Sequence, residues 1–177
     1  MSRQVKNIIN ITAFLICIAL VNIAGQNIEL EIRGVNAFTY ILIAAVLIQV
    51  IFFIPSFLLK TEKYYDLVGS LTYVITISLA YFAVENKTTI DSIIYIYVMI
   101  WASRLGIYLF RRVQKDGKDV RFEKAKTHFF WFLQYWMGQA LWVSLTACAA
   151  IIAILSPEED TLPCLLYTSP SPRDCRL

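Results

Sequence analysis

Long apolar runs separated by short polar stretches dominate the chain. The five runs cover residues 8–24, 36–59, 65–84, 90–110 and 129–155. Each is close to or above the roughly 20 residues that a helix needs to cross about 30 Å of hydrocarbon. Backbone groups in lipid must bond within their own segment, so the abundant Ile and Val do not indicate strands. The pattern predicts an all-α integral membrane bundle with five transmembrane helices. The first run is retained rather than cleaved, because it lacks a small-residue cleavage site and four more runs follow.

Polar and small residues recur at helical spacing inside two of these runs. In the third run they are Asp66, Gly69, Ser70, Tyr73 and Thr76, and in the fifth Tyr135, Gly138, Gln139, Trp142 and Thr146. Polar groups in a membrane helix are costly unless they are bonded, so we expect both faces to point into the bundle. Helix packing alone explains such faces, and so does a binding site. The candidates for substrate contact on these faces are Asp66, Tyr73, Gln139 and Trp142.

A charged residue, Arg104, lies within the fourth run, about two turns from its cytoplasmic end. Its long side chain can extend to the interface, pair with Asp66, or contact a substrate. Asp66 itself lies at the start of the third run, where the helix dipole favours a carboxylate. We expect Arg104 to face the bundle interior as a supporting residue, and we keep it as a fifth candidate for substrate contact.

Composition agrees with a membrane protein and excludes several other classes. Of 177 residues, 58% are hydrophobic and 16% charged, and the mean hydropathy is +0.61, which is too apolar for an ordinary soluble domain. The net charge of +3 does not indicate a nucleic-acid partner. Cys17 and Cys148 lie in apolar runs, and the only histidine, His128, has no second ligand at metal-binding spacing, so no metal site is predicted.

The basic residues are bunched on one side of the predicted membrane. They precede the first run, follow the second, and concentrate in residues 111–126, whereas only Arg33 and Lys87 fall on the other side. The positive-inside rule then places the N-terminus and the 111–126 loop in the cytoplasm. Two interpretations of this loop remain open. It can attract anionic lipid head groups, or Arg111 and Arg112 can grip the phosphates of a dinucleotide.

The C-terminal residues have a different character from the rest. The stretch CLLYTSPSPRD, residues 164–174, resembles an in-frame translation of a sequencing adapter, and residues 175–177 follow it. A native Ser/Pro-rich disordered tail is the alternative. We treat residues 1–163 as the N-terminal part of a larger transmembrane domain and residues 164–177 as a non-native tail.

Four short motifs in residues 60–145 occur in a familiar order. They are YDL with GSL from Tyr65, WASRLG from Trp101 with Tyr108 and Arg111, GKDVRF from Gly117, and QALWV from Gln139. In order and spacing they resemble an uncharacterised membrane family grouped with the steroid 5-alpha-reductases. The resemblance implies a protein of the endoplasmic reticulum, or of the inner membrane in bacteria, that uses NADPH to reduce a carbon–carbon double bond of a hydrophobic lipid or steroid-like substrate.

The resemblance also implies where the cofactor binds. The candidates for cofactor contact are Tyr108, Arg111, Arg112, Lys118 and Arg121. In steroid reductases a His-Tyr-x-x-Arg helix end contributes to cofactor binding, and Ile107 stands here in place of its histidine. The C-terminal Arg-x-Pro-x-Tyr-x-Gly-Glu segment of those enzymes is absent, so we expect the 177-residue chain to be inactive. No catalytic residue is assigned.

Two other functions remain compatible with the sequence. The same superfamily contains isoprenylcysteine methyltransferases, so transfer of a methyl group from S-adenosylmethionine is one alternative, because a shared fold does not select one chemistry. A non-enzymatic membrane scaffold or transporter-like protein is the other.

Overall fold

The fold is an all-helical bundle, described in a computed structural model for residues 3–116 and 122–156. The helices of the described part are α1 (Arg3–Ile23), α2 (Ala37–Leu58), α3 (Tyr65–Ala83), α4 (Thr89–Asp116) and α5 (Phe129–Leu155), with a short 3-10 helix at Ala125–Thr127. All five α-helices are long and apolar enough to cross a membrane. The predicted all-α membrane architecture is confirmed, and the protein is an integral multi-pass membrane protein.

Helix α5 lies at the centre of the bundle. It packs against α1, α2 and α3, while α3 also packs against α2 and α4. Helices α1 and α4 are peripheral, each resting mainly on one neighbour, α5 for α1 and α3 for α4. The buried stripe of α5 includes Ala140, Val143 and Ala147, small or branched side chains that let the neighbouring helices approach. A peripheral helix keeps one face free of contact with the other described helices, and α4 has such a face.

The connection between α1 and α2 is short and well bonded. Between α1 and α2, strands β1 (Glu31–Ile32) and β2 (Val35–Asn36) form a hairpin whose turn residues Arg33 and Gly34 have positive φ angles of 55° and 77°. Asn36 caps α2 by accepting a hydrogen bond from the Thr39 backbone N–H. These two-residue strands were not predicted, since the apolar runs indicate only helices.

Helix α4 is longer than predicted. The hydrophobic run ends near residue 110, but the helix continues to Asp116 and carries Arg111, Arg112 and Lys115 with it. Arg and Lys are good helix formers, and Val113 buries an apolar contact in this last part. The first part of the predicted 111–126 loop is therefore helix, which puts its basic side chains in register with those further up α4.

Candidate functional site

One face of α4 borders an open cavity of about 980 Å³, which we call the α4 groove. The described residues that line it all belong to this helix, at the three- and four-residue spacing of a single helix face. They are Met99, Ile100, Ser103, Arg104, Ile107, Tyr108, Arg111, Arg112 and Lys115. The groove is apolar at one end and basic at the other.

The α4 groove faces away from the rest of the bundle. Ala102, Gly106 and Val113 form the buried stripe of α4, and the close contact between Gly106 and Ser70 places this stripe against α3. Arg104 and Arg111 lie about 180° around the helix from it, and both side chains are exposed. The prediction that Arg104 faces the bundle interior is therefore wrong, because the small residues of α4 occupy that side.

The length of α4 places its charges relative to the membrane. The helix begins at Thr89 on the predicted outer side, and about 20 residues, enough to cross the hydrocarbon, bring it to Tyr108. Arg104 then lies about 6 Å inside the cytoplasmic boundary, and Arg111 and Lys115 lie beyond it. This placement predicts that the groove runs from hydrocarbon into water.

Asp66 forms an ion pair with Arg112. The Arg112 Nη2 and Asp66 Oδ2 atoms are 3.1 Å apart, and the side chains are 42% and 13% exposed. Asp66 lies in the first turn of α3, where the helix dipole favours it as expected. A partly exposed pair of this kind contributes about 1 kcal/mol or less. The alternative that Asp66 pairs with Arg104 is wrong, because the extension of α4 brings Arg112 to the carboxylate instead.

The pairing leaves the other cations of the groove unneutralised. Among the residues that the structure describes, Arg104 has no carboxylate partner, and the described lining of the groove contains no acidic side chain. Arg104, Arg111 and Lys115 therefore form a positive surface beside the aromatic ring of Tyr108, which is 65% exposed.

The polar face of α3 lies inside the bundle, as predicted. Ser70, Tyr73 and Thr76 are buried, and a Cβ atom at Gly69 would overlap the Gln139 side-chain amide of α5. Gln139 thus faces the bundle interior, as predicted, and it lies against the backbone of α3. A side chain at position 69 would displace this amide.

Tyr73 belongs to the contact between helices rather than to the groove. It is 3% exposed, its hydroxyl hydrogen-bonds with that of Thr146 on α5, and its ring meets Trp101 of α4 edge-on with the ring centres 5.0 Å apart. Such an aromatic pair contributes about 0.5–1.5 kcal/mol beyond its buried area. Tyr73 therefore joins three helices, and Trp101 connects it to α4.

Trp142 lies outside the bundle. We expected it on an inward face of α5 with Gln139, but its side chain is 62% exposed. The buried stripe of α5 is formed by Phe132, Trp136 and Ala140, and the predicted polar face lies about 90° around the helix from it. Gln139 lies at the edge of this buried stripe, and Trp142 lies outside it.

Two structural pairs were missed in the sequence. Gln49 of α2 is fully buried, and its Nε2 donates to Thr72 Oγ1 of α3 at 2.8 Å. Lys126 Nζ lies 2.9 Å from the Oε2 atom of Glu62, whose side chain is 5% exposed. A single amide within a run as apolar as α2 is a usable signal for Gln49. Nothing in the sequence links Glu62 to Lys126, which are far apart in the chain.

An aromatic cluster anchors the end of the connection between α4 and α5. Phe122 is 1% exposed, and its ring packs against those of Tyr65 and Tyr135, each with the ring centres 4.8 Å apart. Phe132 and Trp136 are fully buried beside it. Their complete burial places both rings in the core of the bundle.

The predicted candidates thus separate into three groups. Arg104, Tyr108, Arg111 and Arg112 come together in the α4 groove, with Asp66 attached through Arg112. Tyr73 and Gln139 lie in helix contacts, and Trp142 lies apart. Lys118 and Arg121 are outside the described residues, as is the 164–177 segment. Lys115 and Ser103 are groove residues that the sequence did not single out.

Comparison with protein families gave one match, over residues 52–169, to the family described as Protein of unknown function (DUF1295). The match covers two thirds of the chain, includes α3, α4 and α5 with the entire groove, and overlaps the first residues of the 164–177 segment. Comparison with curated proteins and with solved structures found no match. The chain belongs to this family of unknown function.

Proposed function

We propose that the protein to which this chain belongs is a membrane oxidoreductase that uses NADPH to reduce a carbon–carbon double bond of a lipid. The observation that carries the proposal is the α4 groove, which joins a basic end to an apolar end. The distribution of Lys and Arg predicts that the basic end lies in the cytoplasm. A water-soluble cofactor and a membrane-dissolved substrate need such a shared surface. The resemblance to the steroid 5-alpha-reductases supplies the reaction type.

The hydrogen-bond donors at the basic end of the α4 groove suit the phosphates of a dinucleotide. Arg111 and Lys115 are one helix turn apart, about 6 Å along the axis, and neither faces an acidic group among the described lining residues. A guanidinium binds phosphate through two hydrogen bonds, and an ammonium adds a point charge. The exposed ring of Tyr108 offers a flat apolar surface for a base or nicotinamide ring.

Other residues of α3 and α4 position the α4 groove and form its apolar side. The ion pair between Asp66 and Arg112 fixes the last turns of α4 against the first turn of α3. Ile100 and Ile107, both more than half exposed, present the lipid-facing side of the groove. When bound, the nicotinamide supplies a hydride, and its delivery requires the alkene to lie beside it.

Nucleotide binding tests the proposal. The protein is reconstituted in phosphatidylcholine nanodiscs and titrated with NADPH, followed by the nicotinamide fluorescence. Replacing Arg111 by Gln removes a charge-assisted contact to phosphate, so we expect NADPH affinity to fall about tenfold. Lys6→Gln is the matched control. It removes one exposed charge from α1, which packs against α5 rather than α4, and it should leave the affinity unchanged.

The alternatives give different results in the same titration. Binding of S-adenosylmethionine in place of NADPH would support a methyltransferase and overturn the proposal. Binding of neither nucleotide would support a scaffold or transporter-like protein. We expect the 177-residue chain to be inactive, and NADPH-dependent lipid reduction by this chain would contradict that expectation.

A further inference from the structure

Arg104 lies where the α4 groove changes from apolar to basic. Met99, Ile100 and Ile107 surround it on the groove face, and Tyr108 is one turn nearer the cytoplasm. By helix length Arg104 is about 6 Å inside the hydrocarbon boundary. Arg104 is therefore the groove cation nearest to a lipid whose chain lies along the apolar end.

The charge of Arg104 has no internal partner in the described structure. The nearby carboxylate of α3, Asp66, is bound to Arg112, and the described lining of the groove contains no acid. A cation at membrane depth is costly unless it is paired, hydrated or extended to the interface. Because the groove face is turned away from the other described helices, a partner for this charge has to come from outside them.

We propose that the lipid substrate of the proposed reductase is acidic, and that Arg104 binds its carboxylate while the acyl chain follows Ile100 and Met99. Charge complementarity favours this occupant, because one guanidinium matches one carboxylate through two parallel hydrogen bonds. The adjacent Ser103 hydroxyl lines the same face and is exposed. Arg104 is thus a specificity-determining residue. The inference rests on the proposed function, because it treats the bound lipid as the substrate.

Arg104 and Arg111 have separate roles in this arrangement. They are two turns apart, about 10 Å along the helix, so the carboxylate of the lipid and the phosphates of the nucleotide occupy different parts of the groove. A variant at one position should therefore affect one ligand and spare the other. This separation makes the two proposals independently testable.

The test compares oleic acid with oleyl alcohol, which have the same chain but differ in charge. Each is added in radiolabelled form, at equal mole fraction, to the protein in phosphatidylcholine nanodiscs, and protein-bound lipid is counted. We expect oleate to bind about tenfold better than the alcohol, as one charge-assisted pair allows. Arg104→Gln should abolish this preference, and Arg104→Lys, which keeps the charge, should retain most of it.

Lys6→Gln is the control, and it should leave the oleate preference intact, because Lys6 is an exposed residue of α1. Equal binding of acid and alcohol to the unaltered protein would overturn the inference, with Arg104 then merely extending to the interface. Loss of the preference in Lys6→Gln would also overturn it, since binding would then follow net charge. The inference would also be overturned if the protein formed a dimer that covers the α4 groove and excludes oleate.

The nucleotide titration separates the two proposals. NADPH binding without an oleate preference contradicts only the acidic substrate. An oleate preference without NADPH binding leaves an acidic-lipid site but contradicts its assignment to a reductase substrate. Both results together support the full proposal, with NADPH affinity reduced about tenfold in Arg111→Gln and the oleate preference lost in Arg104→Gln.

Discussion

At the scale of single residues, one added methyl group tests the close contact between Gly106 of α4 and Ser70 of α3. A Cβ atom at position 106 would lie 2.8 Å from the Ser70 Cβ, which cannot rotate away. We expect Gly106→Ala to destabilise the protein by about 1–3 kcal/mol, the usual effect of overpacking. Thermal unfolding in detergent measures it.

Gly138→Ala is the matched control for that prediction. A Cβ atom at position 138 would meet Phe14 at an ordinary 3.6 Å, so the better helix propensity of alanine should leave stability unchanged or raised by up to about 1 kcal/mol. The double variant Gly106→Ala/Ser70→Gly should be less destabilised than the sum of its single changes. Simple additivity would show that the two residues are not coupled.

The sequence predicted the inward residues of α3 better than those of α4 and α5. Spacing identified Gly69, Ser70 and Tyr73 as one buried face, because helical periodicity determines which residues share a side. It did not determine which side of α4 faces the bundle. Arg104 suggested the interior, yet the small side chains of Ala102 and Gly106 allow α3 to approach on the opposite side.

At the scale of elements, Phe122 ties the segment after α4 to the bundle. Its buried ring contacts α3 through Tyr65 and α5 through Tyr135. We expect Phe122→Ala to cost about 3 kcal/mol, as for other large-to-small changes in a packed site, and to speed trypsin cleavage in the basic segment 111–126. Limited proteolysis in detergent, followed by mass spectrometry, measures the change.

Phe130→Ala is the control for Phe122, because it removes the same ring from a position that is 39% exposed. It should leave both the unfolding temperature and the cleavage rate nearly unchanged. If both variants behaved alike, the role assigned to Phe122 as an anchor would be wrong.

Existence and type of the membrane helices were predictable, whereas the cytoplasmic end of α4 was not. Hydropathy falls sharply at Arg111, so an apolar-run criterion ends the helix there. The helix continues because Val113 packs inward and Arg112 reaches Asp66. These contacts join residues distant in the chain, and a single sequence does not display them.

At the scale of the whole molecule, the distribution of Lys and Arg predicts that the N-terminus and the end of α4 are cytoplasmic. In a background free of native cysteines, Glu31→Cys and Lys63→Cys place one thiol in each of two exposed connections on opposite sides. In sealed membrane vesicles with the cytoplasmic side inward, an impermeant maleimide should label Glu31→Cys, and it should label Lys63→Cys only after the membrane is opened. The reverse labelling would invert the topology.

The α4 groove depends on this orientation. With the predicted topology its basic end meets the cytoplasm, where NADPH is available to Arg111 and Lys115. With the opposite topology the same residues would face the outer side, and a cytoplasmic nucleotide could not reach them. The labelling result therefore bears on the proposed function as well as on the fold.

The hydrogen bond between Gln49 and Thr72 has a consequence for how the protein is made. Gln49 lies in the middle of α2, which has a mean hydropathy of 2.7 over its most apolar window, and its amide enters the bilayer without a partner in its own helix. Thr72 is on α3, the next helix to leave the ribosome. The two helices are thus suited to insert as a hairpin, in which the second span satisfies the polar group of the first before α4 and α5 are synthesised.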